Sequence, residues 1–555
     1  ASGKRQYTEV AQKGLERMME LYPETAREQS ETEEMCRLIL PLAVLYQSTG
    51  EEKHRQMLYR VAEDLQKVRH PFGGYREWDT GYRAAFSRES REECSVLTEN
   101  GDPVADLLYS SNWLPMGFAF AYEATGDRWF HELWKDSVIF CLKTQMFSDR
   151  THLDGAWCRA FDMDLKEAYA APHDVGWAAY EGFNNTLLDS NKYIYKTNSS
   201  YPSAVDRGNG AAAIWCQPIY WDMAMNAYKL AKAQKDRKKT SYYKTLCEKI
   251  FAGNKAQYCQ FDFDDNNENT GWFIYDDIMW WTISLARGYE LFGVDEYLKL
   301  SEASFKRVWY GSEKVGDTGS YDKENGGMFW QWQPIQNPKP NKFGDGKMAC
   351  INFPTVVAAL TLYNNVPENR KESTDKRPDY QTKAQYLAKG KEIYEWGVEN
   401  LLDKATGKIA DSRHGNGNPA WKAHVYNQAT FIGASILLYK ATGEKRYLDN
   451  AILAADYTVK DMSAEHKVLP FEGGIEQGIY TAIFAEYMAW LVYDCGQTQY
   501  LPFLKRTIKT GWANRDKTRN VCGGEYYKKL PEGAEIDSYS ASGIPALMLL
   551  FPAKK

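Results

Sequence analysis

No stretch of this chain is apolar for long enough to cross a bilayer, and its first ten residues, ASGKRQYTEV, contain no apolar segment of a leader type. No membrane span is therefore expected, while a leader removed earlier would leave such a start. The ten cysteines stand singly, with no CxxC pair and no Cys/His spacing suited to zinc. Most are expected to act as small buried hydrophobes, and neither a metal nor a cofactor is expected. The 68 Lys and Arg residues are scattered, and against 74 Asp and Glu they leave a net charge of −6. That offers no basic face to a phosphate backbone, so nucleic acid is excluded as a partner. No Gly-rich phosphate loop with a following Lys and no Ser, His and Asp grouping stands out.

What is abundant is aromatic surface: 18 Trp, 38 Tyr and 23 Phe in 555 residues. Such rings fill cores and also stack on the C–H faces of sugars. A second feature is a repeat. An apolar helical stretch ends in an aromatic, turns at a Gly followed by an acid, and resumes as a helix. It occurs as Tyr46-Gln-Ser-Thr-Gly50-Glu51, Tyr122-Glu-Ala-Thr-Gly126-Asp127 and Tyr439-Lys-Ala-Thr-Gly443-Glu444, with a looser copy at Tyr289-Glu-Leu-Phe-Gly293-Val-Asp295. Gly closes the first helix in a left-handed conformation, and the acid suits the N-terminal dipole of the next. Helical hairpins of this kind stack as an open solenoid or close into a double ring.

The polar stretch 192–210 is the best boundary in the chain. It divides a helical N-terminal domain or partial toroid, 1–205, from a larger helical domain, 206–555. The second has room for roughly twelve helices. A charged, Pro-containing loop, 364–380, reads as an insertion at the outer rim.

Chemistry concentrates at Gly271-Trp-Phe-Ile-Tyr275-Asp276-Asp277-Ile-Met-Trp280-Trp281, where two acids open a strongly apolar helix. Asp is a preferred cap and first-turn residue, so capping alone accounts for either one. Two like charges in an aromatic setting are nonetheless costly unless one holds a proton. The result is one carboxylate and one carboxylic acid, the pair that glycoside hydrolysis needs. Adjacent side chains diverge by about 100° within a helix. A first residue not yet helical would let both face one space. A magnesium site for a diphosphate would want a third acid at position 280, which is Trp.

These residues resemble glycoside hydrolase family 76, the retaining α-1,6-mannanases, whose marker is Tyr-Asp-Asp before a tryptophan-rich helix. The resemblance extends over 209–552. It includes Ile214-Trp-Cys-Gln-Pro-Ile-Tyr220-Trp221, Glu324-Asn-Gly-Gly327-Met-Phe-Trp330, the segment 347–352, Tyr426-Asn427-Gln428 and Trp512-Ala-Asn-Arg515. It implies an all-α (α/α)6 barrel preceded by a further helical region, with Asp276 as nucleophile and Asp277 as general acid/base. Tyr275, Trp280, Trp330, Asn352, Asn427 and Gln428 become candidates for substrate contact. The implied partner is α-mannan or a manno-oligosaccharide, cleaved by an enzyme acting as a monomer outside the cell, in the periplasm or at the cell surface. Thr481, Ala482 and Glu486 depart from the Lys-Gly and later Arg that many family members carry there, which bears on subsite specificity. The loop 331–346 bears on the shape of the cleft. A binding protein without turnover, or a hydrolase of another α-glycoside, are the alternatives.

Residues 1–205 lie outside the resemblance. Their clusters of acids with Trp, such as Phe72-Gly-Gly-Tyr-Arg-Glu77-Trp78 and Trp157-Cys-Arg159, are expected to be buried interfaces rather than a second sugar surface.

Overall fold

The computed structural model describes residues 5–27, 31–78, 103–146, 155–164, 166–168, 172–265, 272, 274–330, 346–414, 417–474 and 476–552. The chain falls into two compact units, 1–175 with 553–555, and 176–552.

The first unit carries α1 (Arg5–Leu21), α2 (Glu24–Arg27), α3 (Glu31–Thr49), α4 (Glu52–Lys67), α5 (Leu114–Thr125) and α6 (Arg128–Lys143). Helices α3 and α4 form one hairpin and α5 and α6 another, packed through α3 and α5. Their core joins Leu38, Ile39, Leu42, Leu58, Val61, Leu65, Phe118 and Phe130. A small antiparallel sheet, β1 (Val104–Asp106), β2 (Ala160–Asp162) and β3 (Glu167–Ala168), covers Phe140 and Met163. Glu77 is buried and accepts the Asp106 N–H at 3.2 Å, as expected of an interface acid. Trp157 is instead half exposed, its indole N–H held by the Cys141 carbonyl.

The second unit is a closed double ring. Its helices are α7 (Pro172–Leu187), α8 (Gln217–Ala233), α9 (Arg237–Gln257), α10 (Tyr275–Phe292), α11 (Asp295–Tyr310), α12 (Ala349–Asn365), α13 (Lys383–Asn400), α14 (Val425–Thr442), α15 (Lys445–Tyr457), α16 (Tyr480–Ala489), α17 (Leu501–Ala513), α18 (Ser538–Ala541) and α19 (Gly543–Leu550). Helices α8, α10, α12, α14, α16 and α19 touch in that order, and α19 returns to α8. The reason is legible in burial. From Val425 to Leu438 every residue of α14 is buried, and so is every residue of α12 from Ala349 to Leu362. A helix apolar on all sides must be surrounded. Helices α9, α11, α13, α15 and α17 keep one wet face and form the outer ring, α7 completing it beside α9 through Trp177 stacked on Tyr243 at 5.1 Å.

The four repeated turns behave as the pattern implies. Gly50, Gly126, Gly293 and Gly443 each donate their N–H to the aromatic four residues earlier, at 2.7–2.8 Å, with φ between +66° and +74°. A Cβ would find open space at all four, so it is the backbone angle alone that calls for Gly. Within the second unit, Gly293 and Gly443 close the end of the ring where inner helices finish. Longer loops lead into the starts of the inner helices; one carries the pair β4 (Leu188–Asp189) with β5 (Ile194–Tyr195), and two others meet through β6 (Lys347–Met348) and β7 (Ser412–Arg413).

The division at 175/176 corrects the boundary expected at 205/206. The polar stretch 192–210 is a loop inside the ring, leading from outer α7 to inner α8. Its Tyr195 packs on Tyr220 at 4.6 Å, and its backbone is held by Gln217. Polarity there marks an exposed loop, and loops of this kind also join helices within a domain. The loop 364–380 does lie between inner α12 and outer α13, where Arg370 bridges to Glu302. Residues 331–345 of the cleft loop lie outside the described residues.

Candidate active site

Helix α10 begins at Tyr275, with Ile274 as its extended cap, so Asp276 and Asp277 are both already in the first helical turn. The first acid was expected to precede the helix; it follows its start by one residue. The two groups nevertheless share one environment. Both are half-buried at the end of the ring that receives the long loops. Burial pushes Asp276 up to about 7, against the opposing pull of the Cys350 thiol and of the N–H groups of Asp276 and Asp277. Burial, with the charges of Asp276 and Glu476, pushes Asp277 well above the ordinary carboxylate range. One Asp276 oxygen, Oδ1, is enclosed with no hydrogen-bond partner among the described residues.

Around the pair stands an aromatic wall. Trp215 lies 6.0 Å from Trp280 and 6.4 Å from Tyr426, and Tyr426 stacks on Tyr480 at 3.9 Å. The Trp215 indole donates to Glu476 Oε2 at 3.1 Å. Cys350, at the start of α12, bridges Asp276 and the Tyr426 hydroxyl. His424 caps α14 and holds Glu472 through Nδ1 at 2.7 Å, and Glu472 also accepts the Val425 N–H at 3.0 Å. Asp411 lies 3.8 Å from His424 Nε2. Cys350, Asp411, His424, Glu472 and Tyr480 were not singled out in the sequence. Each is one residue in its own loop or helix start, and no spacing links them.

The other candidates divide into two kinds. Trp280 is buried against Trp215, and Trp330 is half-buried, its carbonyl accepting the Tyr275 N–H at 2.9 Å. The remaining four are held by the protein itself. The Tyr275 hydroxyl donates to Asp317 at 2.5 Å, inside a buried group with Arg307. Asn352 is bonded to Met328 on both its N–H and its carbonyl, and to the Met348 carbonyl. Gln428 is fully occupied by the Ile409 N–H and the Gly407 and Ala454 carbonyls. Asn427 donates to Asp411 at 3.4 Å, leaving its own oxygen unpartnered among the described residues. Tyr275, Asn352 and Gln428 therefore brace the loops that form the mouth. Asn352 fixes the strip that delivers Trp330, where Gly326 and Gly327 take φ of +71° and +77° and press on the Trp396 ring. A Cβ at Gly327 would come within 2.7 Å of that ring.

A closed double ring of helices opening onto two proton-holding carboxyls defines an α/α-barrel protein equipped for acid–base chemistry. The model for glycosyl hydrolase family 76 matches residues 182–544, and the chain belongs to that family. Solved structures agree in fold. The GH76A α-1,6-mannanase of Salegentibacter sp. HEL1_6 is 20% identical over 69% of this chain and 100% of its own, with a TM-score of 0.53. The family 76 mannosidase Bt3792 from Bacteroides thetaiotaomicron VPI-5482 is 17% identical over 69% and 98%, with a TM-score of 0.54. Dfg5 from Chaetomium thermophilum, solved with glucosamine, is 14% identical over 69% and 89%, with a TM-score of 0.50. No curated protein matches the chain.

Proposed function

We propose that the protein is a retaining glycoside hydrolase that cleaves α-1,6-mannosidic linkages within mannan. The observation that carries this is a pair of neighbouring acids at the mouth of a family 76 barrel, both lifted by burial above the ordinary carboxylate range. Asp276 ionises near neutrality, while Asp277 keeps its proton well beyond the ordinary range. Asp277 then protonates the departing glycosidic oxygen while the Asp276 carboxylate attacks the anomeric carbon, forming a glycosyl-enzyme ester. Asp277, now ionised, takes a proton from water as that water displaces Asp276. The proton given in the first step returns in the second. Trp215 and Trp330, both half-buried, supply stacking faces for the sugar rings, with Trp280 packed behind Trp215.

Relatives support the substrate. An inactive variant of the Salegentibacter mannanase, with two consecutive aspartates replaced by asparagine, was solved with α-1,6-mannotriose. A ring closed within one chain supports action as a monomer. We also propose that this work is done outside the cell, in the periplasm or at the cell surface, where a polymeric substrate would be met. The test is release of reducing ends from linear α-1,6-mannan by the wild type and by Asp276→Asn and Asp277→Asn. Equal release by all three would remove the assignment.

A further inference from the structure

Deeper in the ring than the mouth, helices α8, α10, α16 and α19 line a space of about 20 Å³. Two opposite charges meet there, with Asp222 Oδ2 lying 2.5 Å from Arg287 Nη1. Glu486, one of the positions that departs from the family 76 pattern, also lines the space and accepts from Asn226 at 2.7 Å. Its change of sign from Arg therefore acts inside the ring. The Arg287 guanidinium is set between the rings of Tyr487 and Trp490, 5.5 and 5.2 Å from their centres, which hold it in place.

Five enclosed atoms around the space have no hydrogen-bond partner among the described residues: Asp222 Oδ1, Arg287 Nε and Nη2, the Tyr487 hydroxyl and the Trp280 indole nitrogen. Tyr487 and Trp280 are almost fully buried. Ser284 approaches Asp222, but its hydroxyl donates to the Pro218 carbonyl at 3.2 Å. Arg287 also lies close to the Tyr487 hydroxyl, without the geometry of a hydrogen bond. Polar atoms enclosed in this way are costly unless something small reaches them. The lining decides what that is. An anion would face Asp222 and Glu486, while a cation would face the guanidinium and two further donors. An apolar guest would leave all five atoms bare. The volume suits one water and excludes a sugar ring.

We propose that this space is a structural water site, in which one ordered water donates to Asp222 Oδ1 and bonds the Arg287 guanidinium and the Tyr487 hydroxyl. The Trp280 N–H is a further donor to the same space. The water completes the Asp222–Arg287 pair, because a buried ion pair is tolerated only when its remaining lone pairs and protons are also bonded. It ties α8, α10 and, through Tyr487, α16 around one point. The site is separate from the acid pair and stands whether or not the mannan-hydrolase function does.

The experiment is a crystal structure of the wild type at a resolution that shows ordered water, repeated under xenon pressure. One solvent peak is expected within about 3.2 Å of Asp222 Oδ1, of an Arg287 nitrogen and of the Tyr487 hydroxyl. Xenon enters dry apolar cavities, so it should stay out. In Arg287→Met with Asp222→Leu the space becomes largely apolar, and xenon should take the place of the water. Where that double variant fails to fold, Tyr487→Phe serves instead: it should weaken or displace the peak and lower the folding equilibrium constant about fivefold. A wild type without the solvent peak, or with xenon in its place, would overturn the proposal. So would an unchanged peak in Tyr487→Phe. A peak with the density and ligand distances of a metal or halide ion would also overturn it, making this an ion site.

Discussion

The two ends of the barrel treat buried acids in opposite ways. Away from the mouth, Asp222 lies 2.5 Å from Arg287, while behind the mouth, at the start of α10, Asp317 is gripped by Arg307 and the Tyr275 hydroxyl. Arg287 is about 16 Å further along α10 than Asp276 at the ordinary helical rise. At the mouth Asp276 and Asp277 are influenced by each other, by the Cys350 thiol and by Glu476, with the charge of Arg207 as the smallest named influence, on Asp277 alone. Burial lifts Asp222 too, but the Arg287 guanidinium draws it back, and an acid held by its own guanidinium serves the fold. An acid placed beside another acid keeps a proton to exchange. Charge compensation, more than burial, therefore separates structural from chemical carboxyls in this protein.

The largest effect should come from removing the uncompensated pair. Asp276→Asn or Asp277→Asn should lower kcat on α-1,6-mannan by about a thousandfold or more, with the fold unchanged by circular dichroism. Next are the compensated acids. Arg307→Met strands the Asp317 charge and should lower unfolding free energy by about 3–5 kcal/mol in urea titrations. Arg287→Met alone should be destabilising in the same way, whereas Arg287→Met with Asp222→Leu should recover most of the loss, because no charge is then left unpaired. A smaller effect is the pH profile of the wild type. Asp276 must be ionised to attack, so kcat/KM should fall about tenfold per unit as pH drops below roughly 7, the value to which burial lifts it. A second fall at higher pH should follow loss of the Asp277 proton. A profile flat from pH 5 to 8 would show that the pair at the mouth is as fixed in charge as the pairs below it.

Much of this contrast was legible before any coordinates. The hairpins could be read because their signals are local: an aromatic, a Gly and an acid within six residues set one turn each. The acid pair could be read because both members are adjacent. Inner and outer helices were harder to distinguish, although the course of Ala429 to Leu438, polar only at the small residues Thr430 and Ser435, does mark an inner helix. Two kinds of feature were illegible. The boundary was displaced because a polar loop inside a ring has the composition of a linker. The rest of the mouth, Cys350, Asp411, His424, Glu472 and Tyr480, is assembled from four chain segments that meet only when the ring closes. The opposite error arose at Asn352 and Gln428. Their motifs were visible, yet an amide that braces a loop and one that binds a sugar look the same until hydrogen-bond partners are counted.

The smallest effect is also the sharpest test of the comparison, because it predicts opposite signs at the two ends. The folded protein lifts both mouth carboxyls above their unfolded values, so between pH about 4 and 7 the native state holds protons that the unfolded chain has released. Stability supplied by those protons is present at low pH and declines as pH rises through that window. Asp277→Asn removes the charge that must be suppressed. It should therefore raise Tm by about 1–3 °C at pH 7.5 and leave it nearly unchanged at pH 4. Asp222→Asn should do the reverse at pH 7.5, lowering Tm, because it leaves Arg287 buried without its counter-charge. A Tm shift of the same sign in both variants would mean that the mouth acids are held by the fold as firmly as the paired ones.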